Sequence, residues 1–231
     1  MTEHVLPAGT TAHGQMEVDV SPERAGWTWT GLGVVALAAG DHHHIATDDH
    51  EYLVLPLTGG CTVEVGDERY ELQGRDTIWG ETTDYLYLPS NTEATITATR
   101  DGRFALPHCV AADHRAVRHC PADEVTVGIR GSGAMSRQVS NYSIGNTLET
   151  SRLLVTEVIT PGGNWSSYPP HKHDEDSEHE RELEEIYYFE IEPDEHGPGM
   201  AFHATYGTED RPIDVALRVA NGDVDGAVLR A

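Results

Sequence analysis

Short runs rich in Val, Ile, Thr, Tyr and Trp recur along this chain at a spacing of roughly ten residues, while helical periodicity is almost absent. The runs are Trp27–Ala38, Glu51–Leu57, Cys61–Val65, Tyr85–Leu88, Ala94–Thr99, Phe104–Ala111, Arg152–Thr160, Glu185–Ile191, Ala201–Tyr206 and Ile213–Val219. Gly, Pro, Asn and Asp bound them, and these residues favour turns through free or fixed φ. Thr58-Gly59-Gly60, Gly66-Asp67-Glu68 and Asn221-Gly222-Asp223 are the clearest reversal signals. Strands of this length and spacing predict an all-β sandwich or barrel.

The runs fall into two groups, within residues 20–112 and about 124–219. His114–Asp123, polar and containing Pro121, reads as a linker. No fixed repeat indicates a solenoid or propeller. Two tandem β-barrels, residues 1–120 and 121–231, account for the strand number. The 38% hydrophobic content of 231 residues suffices for a sizeable core.

Charge narrows the partners. There are 39 acidic and 15 basic residues, a formal net charge of -24. Such a chain is repelled by nucleic acid and by anionic membrane surfaces, so neither is expected as a partner. No run approaches the ~20 apolar residues of a membrane helix, and Met1-Thr2-Glu3-His4 does not open a secretory signal. Cys61, Cys109 and Cys120 form no CxxC motif and read as reduced thiols. A cytoplasmic location is expected.

The chemistry concentrates in Asn164-Trp165-Ser166-Ser167-Tyr168-Pro169-Pro170-His171-Lys172-His173-Asp174. On a strand, residues two apart share a face, so His171 and His173 would project together and Lys172 away. Pro169 and Pro170 cannot donate to a ladder and mark the strand start. Two imidazoles plus a carboxylate from a neighbouring strand suit a divalent ion: zinc, manganese, iron or nickel. Downstream, Asp174–Glu185 holds eight acidic residues in twelve, with Arg181 alone in opposition. Self-repulsion predicts a solvated loop through Glu182. Glu184 and Glu185 abut the strand-like Ile186-Tyr187-Tyr188-Phe189. Asp41-His42-His43-His44 reads as a loop, because three adjacent histidines cannot share one strand face.

The longer pattern carries a resemblance. Thr160-Pro161-Gly162-Gly163 leading through Trp165-Ser166-Ser167-Tyr168-Pro169-Pro170-His171-Lys172-His173-Asp174 to Leu183-Glu184-Glu185-Ile186-Tyr187-Tyr188-Phe189 resembles the 5-deoxy-glucuronate isomerase family of bacterial myo-inositol catabolism, within the cupin superfamily. Val127–Gly133, Ser136-Arg137-Gln138-Val139 and Glu51…Pro56-Leu57-Thr58-Gly59 extend it from about Ala25 to about Asp223. The resemblance implies a bicupin of two jelly-roll-type β-barrels, with a divalent metal in the second. It implies His171 and His173 as ligands, and the general cupin pattern selects Glu185, next to the strand, over Glu184. The family supplies a further His from a Gly-Tyr-His-Pro-like string after an Asn-Gly-Asp turn. Here Val224–Ala231 follows Asn221-Gly222-Asp223. On that comparison the second barrel is expected to be truncated, its last eight residues lacking the apolar strand. His203 or water would then complete the site, or the site would bind metal weakly or not at all, or homo-oligomer contacts would support the barrel.

The implied reaction converts 5-deoxy-D-glucuronate, a sugar acid, into 2-deoxy-5-keto-D-gluconate. For the base, Glu184 is the candidate by location, since a metal-bound carboxylate is a poor base. Tyr187 or Tyr188 is the candidate proton relay. The substrate carboxylate favours an arginine, Arg137 or Arg130. Two alternatives remain on the same fold: a non-catalytic or impaired sugar-acid binder, and a metal-dependent dioxygenase.

Overall fold

The computed structural model describes residues 5–145, 148–173, 175–207, 209 and 213–227. Its strands are β1 (Val5–Leu6), β2 (Met16–Val20), β3 (Thr30–Leu37), β4 (His42–Ala46), β5 (His50–Val65), β6 (Glu68–Arg75), β7 (Tyr85–Leu88), β8 (Glu93–Ala98), β9 (Gly102–Val110), β10 (Arg118–Cys120), β11 (Thr126–Arg130), β12 (Arg137–Asn141), β13 (Thr156–Ile159), β14 (Glu185–Tyr188), β15 (Ala201–Tyr206), β16 (Asp214–Val219) and β17 (Val224–Ala227). Among the described residues the α-helix is limited to α1 (Pro22–Ala25), so the all-β expectation holds. Ser21 caps α1 by accepting from the Arg24 N–H at 3.2 Å, and Gly26, at φ +72°, ends it. No described helix is long and apolar enough to cross a membrane.

The residues gather into two compact units, Leu32–His171 and Met1–Gly31 with Lys172–Ala231. In the first, neighbouring strands run β10-β7-β5-β9-β3; β6 and β8 both pair with β5, and β4 pairs with β8. Val34, Val35, Leu53, Val54, Leu86, Leu88, Ile96 and Phe104 are fully buried in it. A separate antiparallel sheet, β11-β12-β13, belongs to the same unit.

One expected hairpin turn is absent. Thr58-Gly59-Gly60 does not reverse the chain; β5 runs straight through it for 16 residues. Register shifts mark bulges there, between Pro56 and Thr58 against β9 and between Gly59 and Cys61 against β6. The bulges let the first part of β5 pair with β7 and β9 and the second with β6 and β8. Glycine is needed for close approach: a Cβ on Gly59, whose φ is +81°, would lie 2.6 Å from Gly102 Cα.

Two predicted loops are strands. His42–His44 lies in β4, where His43↔Ile96 and Ile45↔Ala94 pair with β8. Period two still separates the histidines: His43 is half-buried, while His42 and His44 are exposed and His44 meets Glu93 at 2.7 Å. Within the expected linker, Arg118–Cys120 pairs with Tyr85–Tyr87 as β10, and Cys120 is fully buried. Backbone pairing outweighs the polar composition of these segments. All three cysteines are buried and unbridged.

In the second unit, β17 lies between β1 and β14, and β15 pairs with β16. The Asn221-Gly222-Asp223 turn forms as expected, with Gly222 at φ +83°. Asp223 accepts from the Ala8 and Ala220 N–H groups at 2.9 and 2.8 Å, tying the turn to the early chain. The tail expectation is corrected here: Val224–Ala227 is a strand, paired on both sides with Val5–Leu6 and Glu185–Tyr188. Ladder bonds on two edges hold a segment too short and polar to announce itself. The remaining tail, residues 228–231, lies outside the described residues.

Candidate metal centre

His171-Lys172-His173 is irregular chain, not the strand expected from its spacing. Pro169 and Pro170 lack the donors a ladder needs. Upstream, Asn164 Nδ2 donates to Ser136 O at 2.7 Å and Trp165 N–H to Ala134 O at 2.8 Å. Downstream, the Leu183 N–H donates to His173 O at 3.1 Å, closing the acidic segment into a loop. Its described residues from Glu175 onward form neither helix nor strand and are mostly exposed, as self-repulsion predicts; Asp174 lies outside the described residues. Lys172 turns to this loop, its Nζ 2.7 Å from Glu175 and 2.9 Å from Glu180. Arg181, the expected counter-charge, donates to the Ser177 carbonyl at 2.8 Å.

With Lys172 engaged, the flanking imidazoles converge. His171, His173 and Glu185 each present one ligand atom, all within 4.8 Å of one another. The three belong to one stretch of chain, residues 171–185, that the His173–Leu183 bond closes on itself. Ligands of a single ion at about 2.0–2.2 Å sit no more than about 4.4 Å apart, so any contraction needed is a few tenths of an ångström. His173 Nδ1 lies 3.2 Å from Arg181 O. A carbonyl can only accept, so in this contact Nδ1 is the donor. Two imidazoles and one carboxylate would supply three ligands to an ion and would leave further coordination positions for solvent or substrate. His171 is exposed and its two partners half-buried, so a small solute has access.

The other candidates are placed as follows. Glu184 immediately precedes β14, and its carboxylate accepts three consecutive backbone N–H groups: Thr28 at 2.7 Å, Trp29 at 2.9 Å and Thr30 at 2.9 Å. Tyr187 shares the Glu185 face of β14 by period two. Its ring lies 6.3 Å from Phe189 and 5.5 Å from His203. Tyr188 points the other way and donates to Glu190 at 2.7 Å. His203 is not part of the ligand cluster; its Nε2 is 3.0 Å from Thr205 Oγ1. Arg137 and Arg130 are direct cross-strand partners on β12 and β11. Arg137 Nη1 donates to Met135 O at 3.1 Å.

Glu51 was not singled out from the sequence for a role of its own. It is fully buried in β5, and it repeats what Glu184 does. Its carboxylate accepts from the Ser151, Arg152 and Leu153 N–H groups at 2.7, 2.5 and 2.7 Å, and from Tyr87 Oη at 2.7 Å. The available signal was a Glu opening a Tyr- and Val-rich strand in both halves of the chain.

The KduI/IolB family model matches residues 4–226. The chain belongs to the KduI/IolB family. A 5-deoxy-glucuronate isomerase of Geobacillus kaustophilus is 37% identical over 227 residues, covering 97% of this chain and 80% of that protein. The Bacillus subtilis 5-deoxy-glucuronate isomerase is 33% identical over 209 residues, 89% of this chain and 76% of its own. Among solved structures, an IolB-like protein of Salmonella typhimurium superposes with a TM-score of 0.84 at 31% identity, over 97% of this chain and 84% of that one. A Bacillus subtilis oxalate decarboxylase matches at 0.59 with 11% identity, over 98% of this chain and 71% of its own, a likeness of fold alone. The KduI/IolB fold of this chain is therefore all-β and cupin-like.

Proposed function

We propose that this KduI/IolB member is an aldose–ketose isomerase converting 5-deoxy-D-glucuronate into 2-deoxy-5-keto-D-gluconate in cytoplasmic myo-inositol catabolism. The observation that carries the reading is the convergence of His171, His173 and Glu185 in a chain whose relatives at 37% and 33% identity are 5-deoxy-glucuronate isomerases. The architecture proposed is the bicupin, with barrels at residues 1–120 and 121–231 and the metal in the second.

The reaction moves one hydrogen from the hydroxyl-bearing carbon to the neighbouring aldehyde carbon and one proton between their oxygens, with no net redox change. Negative charge builds on the carbonyl oxygen; His171, His173 and Glu185 would hold a divalent cation, which would supply Lewis-acid stabilisation of that charge. The identity of that cation is left among zinc, manganese, iron and nickel. Tyr187, on the Glu185 face, is the proposed proton relay. Arg137, with Arg130 opposite it, is proposed to receive the substrate carboxylate. Like charges directly opposite on a strand pair are destabilising, and an anion bound there offsets the repulsion.

The test is incubation of the metal-loaded chain with 5-deoxy-D-glucuronate, following the ketose by NMR. Formation of 2-deoxy-5-keto-D-gluconate supports the reading. Calorimetric binding without turnover makes the protein a sugar-acid binder, and oxygen consumption makes it a dioxygenase; either result overturns it.

A further inference from the structure

Glu184 stands next to a metal ligand yet cannot easily act as a base. Both its oxygens already receive backbone N–H groups, Thr28 on Oε1 and Trp29 and Thr30 on Oε2. Three bonds of 2.7–2.9 Å from consecutive amides fix the carboxylate in position and direction. They fix the backbone too. The residue that follows, Glu185, begins β14, and consecutive side chains on extended backbone point to opposite faces. Holding Glu184 toward Thr28–Thr30 therefore turns Glu185 the other way, where His171 and His173 present their nitrogens.

We propose that Glu184 is a positioning residue, a carboxylate that anchors the start of β14 on Thr28–Thr30 and so aims Glu185 at the two imidazoles. This rests on the metal-site reading above. It also carries the site's demand for order back to the segment before β3, remote in sequence and without a ligand of its own. The anchor is a recurring device of this chain. Glu51 takes three consecutive amides before β13, as Glu184 takes three at the entry to β3, the last of them from Thr30, the first residue of that strand. After Glu51 comes Tyr52, whose ring stacks on His108 with centroids 4.5 Å apart. The same clamp thus orients an aromatic side chain in one strand and a ligand in the other.

The experiment compares Glu184→Gln and Glu51→Gln with the wild-type chain, reading Co²⁺ affinity by titration, the visible spectrum of bound Co²⁺, and the melting temperature. In Glu184→Gln an amide N–H₂ replaces one acceptor and faces a backbone N–H. Co²⁺ affinity is expected to fall about 10–100-fold, the usual loss when a group orienting a ligand is removed, with a changed spectrum in a protein that still folds. Glu51→Gln is expected to lower the melting temperature and leave Co²⁺ affinity and spectrum unchanged. Should Glu184→Gln fail to fold, Glu184→Asp, which keeps the charge and retracts it by one methylene, is read in the same assay. Wild-type affinity and spectrum in the Glu184 variant overturn the positioning role alone. Equal weakening by both variants assigns the loss to general destabilisation and also overturns it. A wild-type chain that binds no Co²⁺, Zn²⁺ or Mn²⁺ removes the metal site itself, and the positioning role with it.

Discussion

Strands β5 and β14 start alike and end differently. Each is introduced by a glutamate that gathers three consecutive backbone amides, Glu51 from Ser151–Leu153 and Glu184 from Thr28–Thr30. β5 spans 16 residues, running on from Glu51 through a buried sheet with Leu53 and Val54 fully covered. β14 runs for four residues, all half-buried, with Glu185 facing two imidazoles. The contrast separates two uses of one device. In β5 the clamp joins distant segments of a core. In β14 it supports a polar site that the strand itself could not stabilise by burial.

The sharpest way to break the contrast is to remove the ligands that distinguish β14. His171→Ala, His173→Ala and Glu185→Ala are each expected to reduce isomerase turnover to background and to abolish stoichiometric metal binding, because three donors are the minimum of an open catalytic site. All three side chains are at least partly exposed, so melting of the metal-free protein should change little. Tyr52→Phe, at the residue after the other clamp, is expected to leave turnover intact. Atomic absorption and the NMR assay check both halves. Wild-type turnover in His171→Ala would exclude the ligand role.

Much of this was legible in the sequence, and the illegible parts share a physical cause. Strands such as β7, β15 and β16 announced themselves through β-branched and aromatic runs, whereas β2, β6, β11 and β12 did not. The three residues of the candidate metal site were legible through the spacing of His171 and His173 and the resemblance around Glu185. Their convergence nevertheless comes from a loop rather than a strand face, since Lys172 and the acidic segment fold onto each other. Missed features depend on partners far along the chain. The Gly59 bulge depends on the approach of Gly102, and β10 and β17 exist because other strands supply their ladders. The clamps at Glu51 and Glu184 require segments 100 and 156 residues away. Local pattern holds no record of such contacts.

A second test probes how strongly the β5-containing unit is tied together. Arg75, at the end of β6, is buried and bidentate on Glu157 of β13, with contacts of 3.1 and 2.5 Å; it also donates to Pro56 O at 3.1 Å. Removing one partner leaves an uncompensated buried charge. Glu157→Ala is expected to cost about 3–5 kcal/mol of stability. Chemical denaturation checks it. Arg75→Met with Glu157→Leu, which removes both charges, should recover a large part of the loss. Failure of the double variant to recover would mean that the Arg75 bonds to Pro56 O and Glu81 O, lost only in the double variant, matter as much as the ion pair.

The smallest expected effect separates the regions by alkali. Burial, then the nearby Asp84 charge, pushes the Cys61 thiol up to about 12, and burial, then Glu157, pushes the Tyr142 hydroxyl up to about 12. Burial and the bond to Glu51 raise Tyr87 as well. Each group loses its proton more readily in the unfolded chain, at about pH 9 for the thiol and about pH 10 for the phenols. Between those values and pH 12 the unfolded state therefore binds fewer protons than the folded one. These groups leave stability unchanged below about pH 9 and lower it as pH climbs toward 12. All three groups lie in Leu32–His171. Thermal melts from pH 8 to 12 should show that unit weakening, and Tyr87→Phe should flatten part of the decline, since the Glu51 carboxylate then no longer faces a phenol that can ionise. A decline of unchanged slope in Tyr87→Phe would assign the alkaline sensitivity to the other raised groups of this unit, Cys61, Tyr70, Cys120 and Tyr142, away from the clamp.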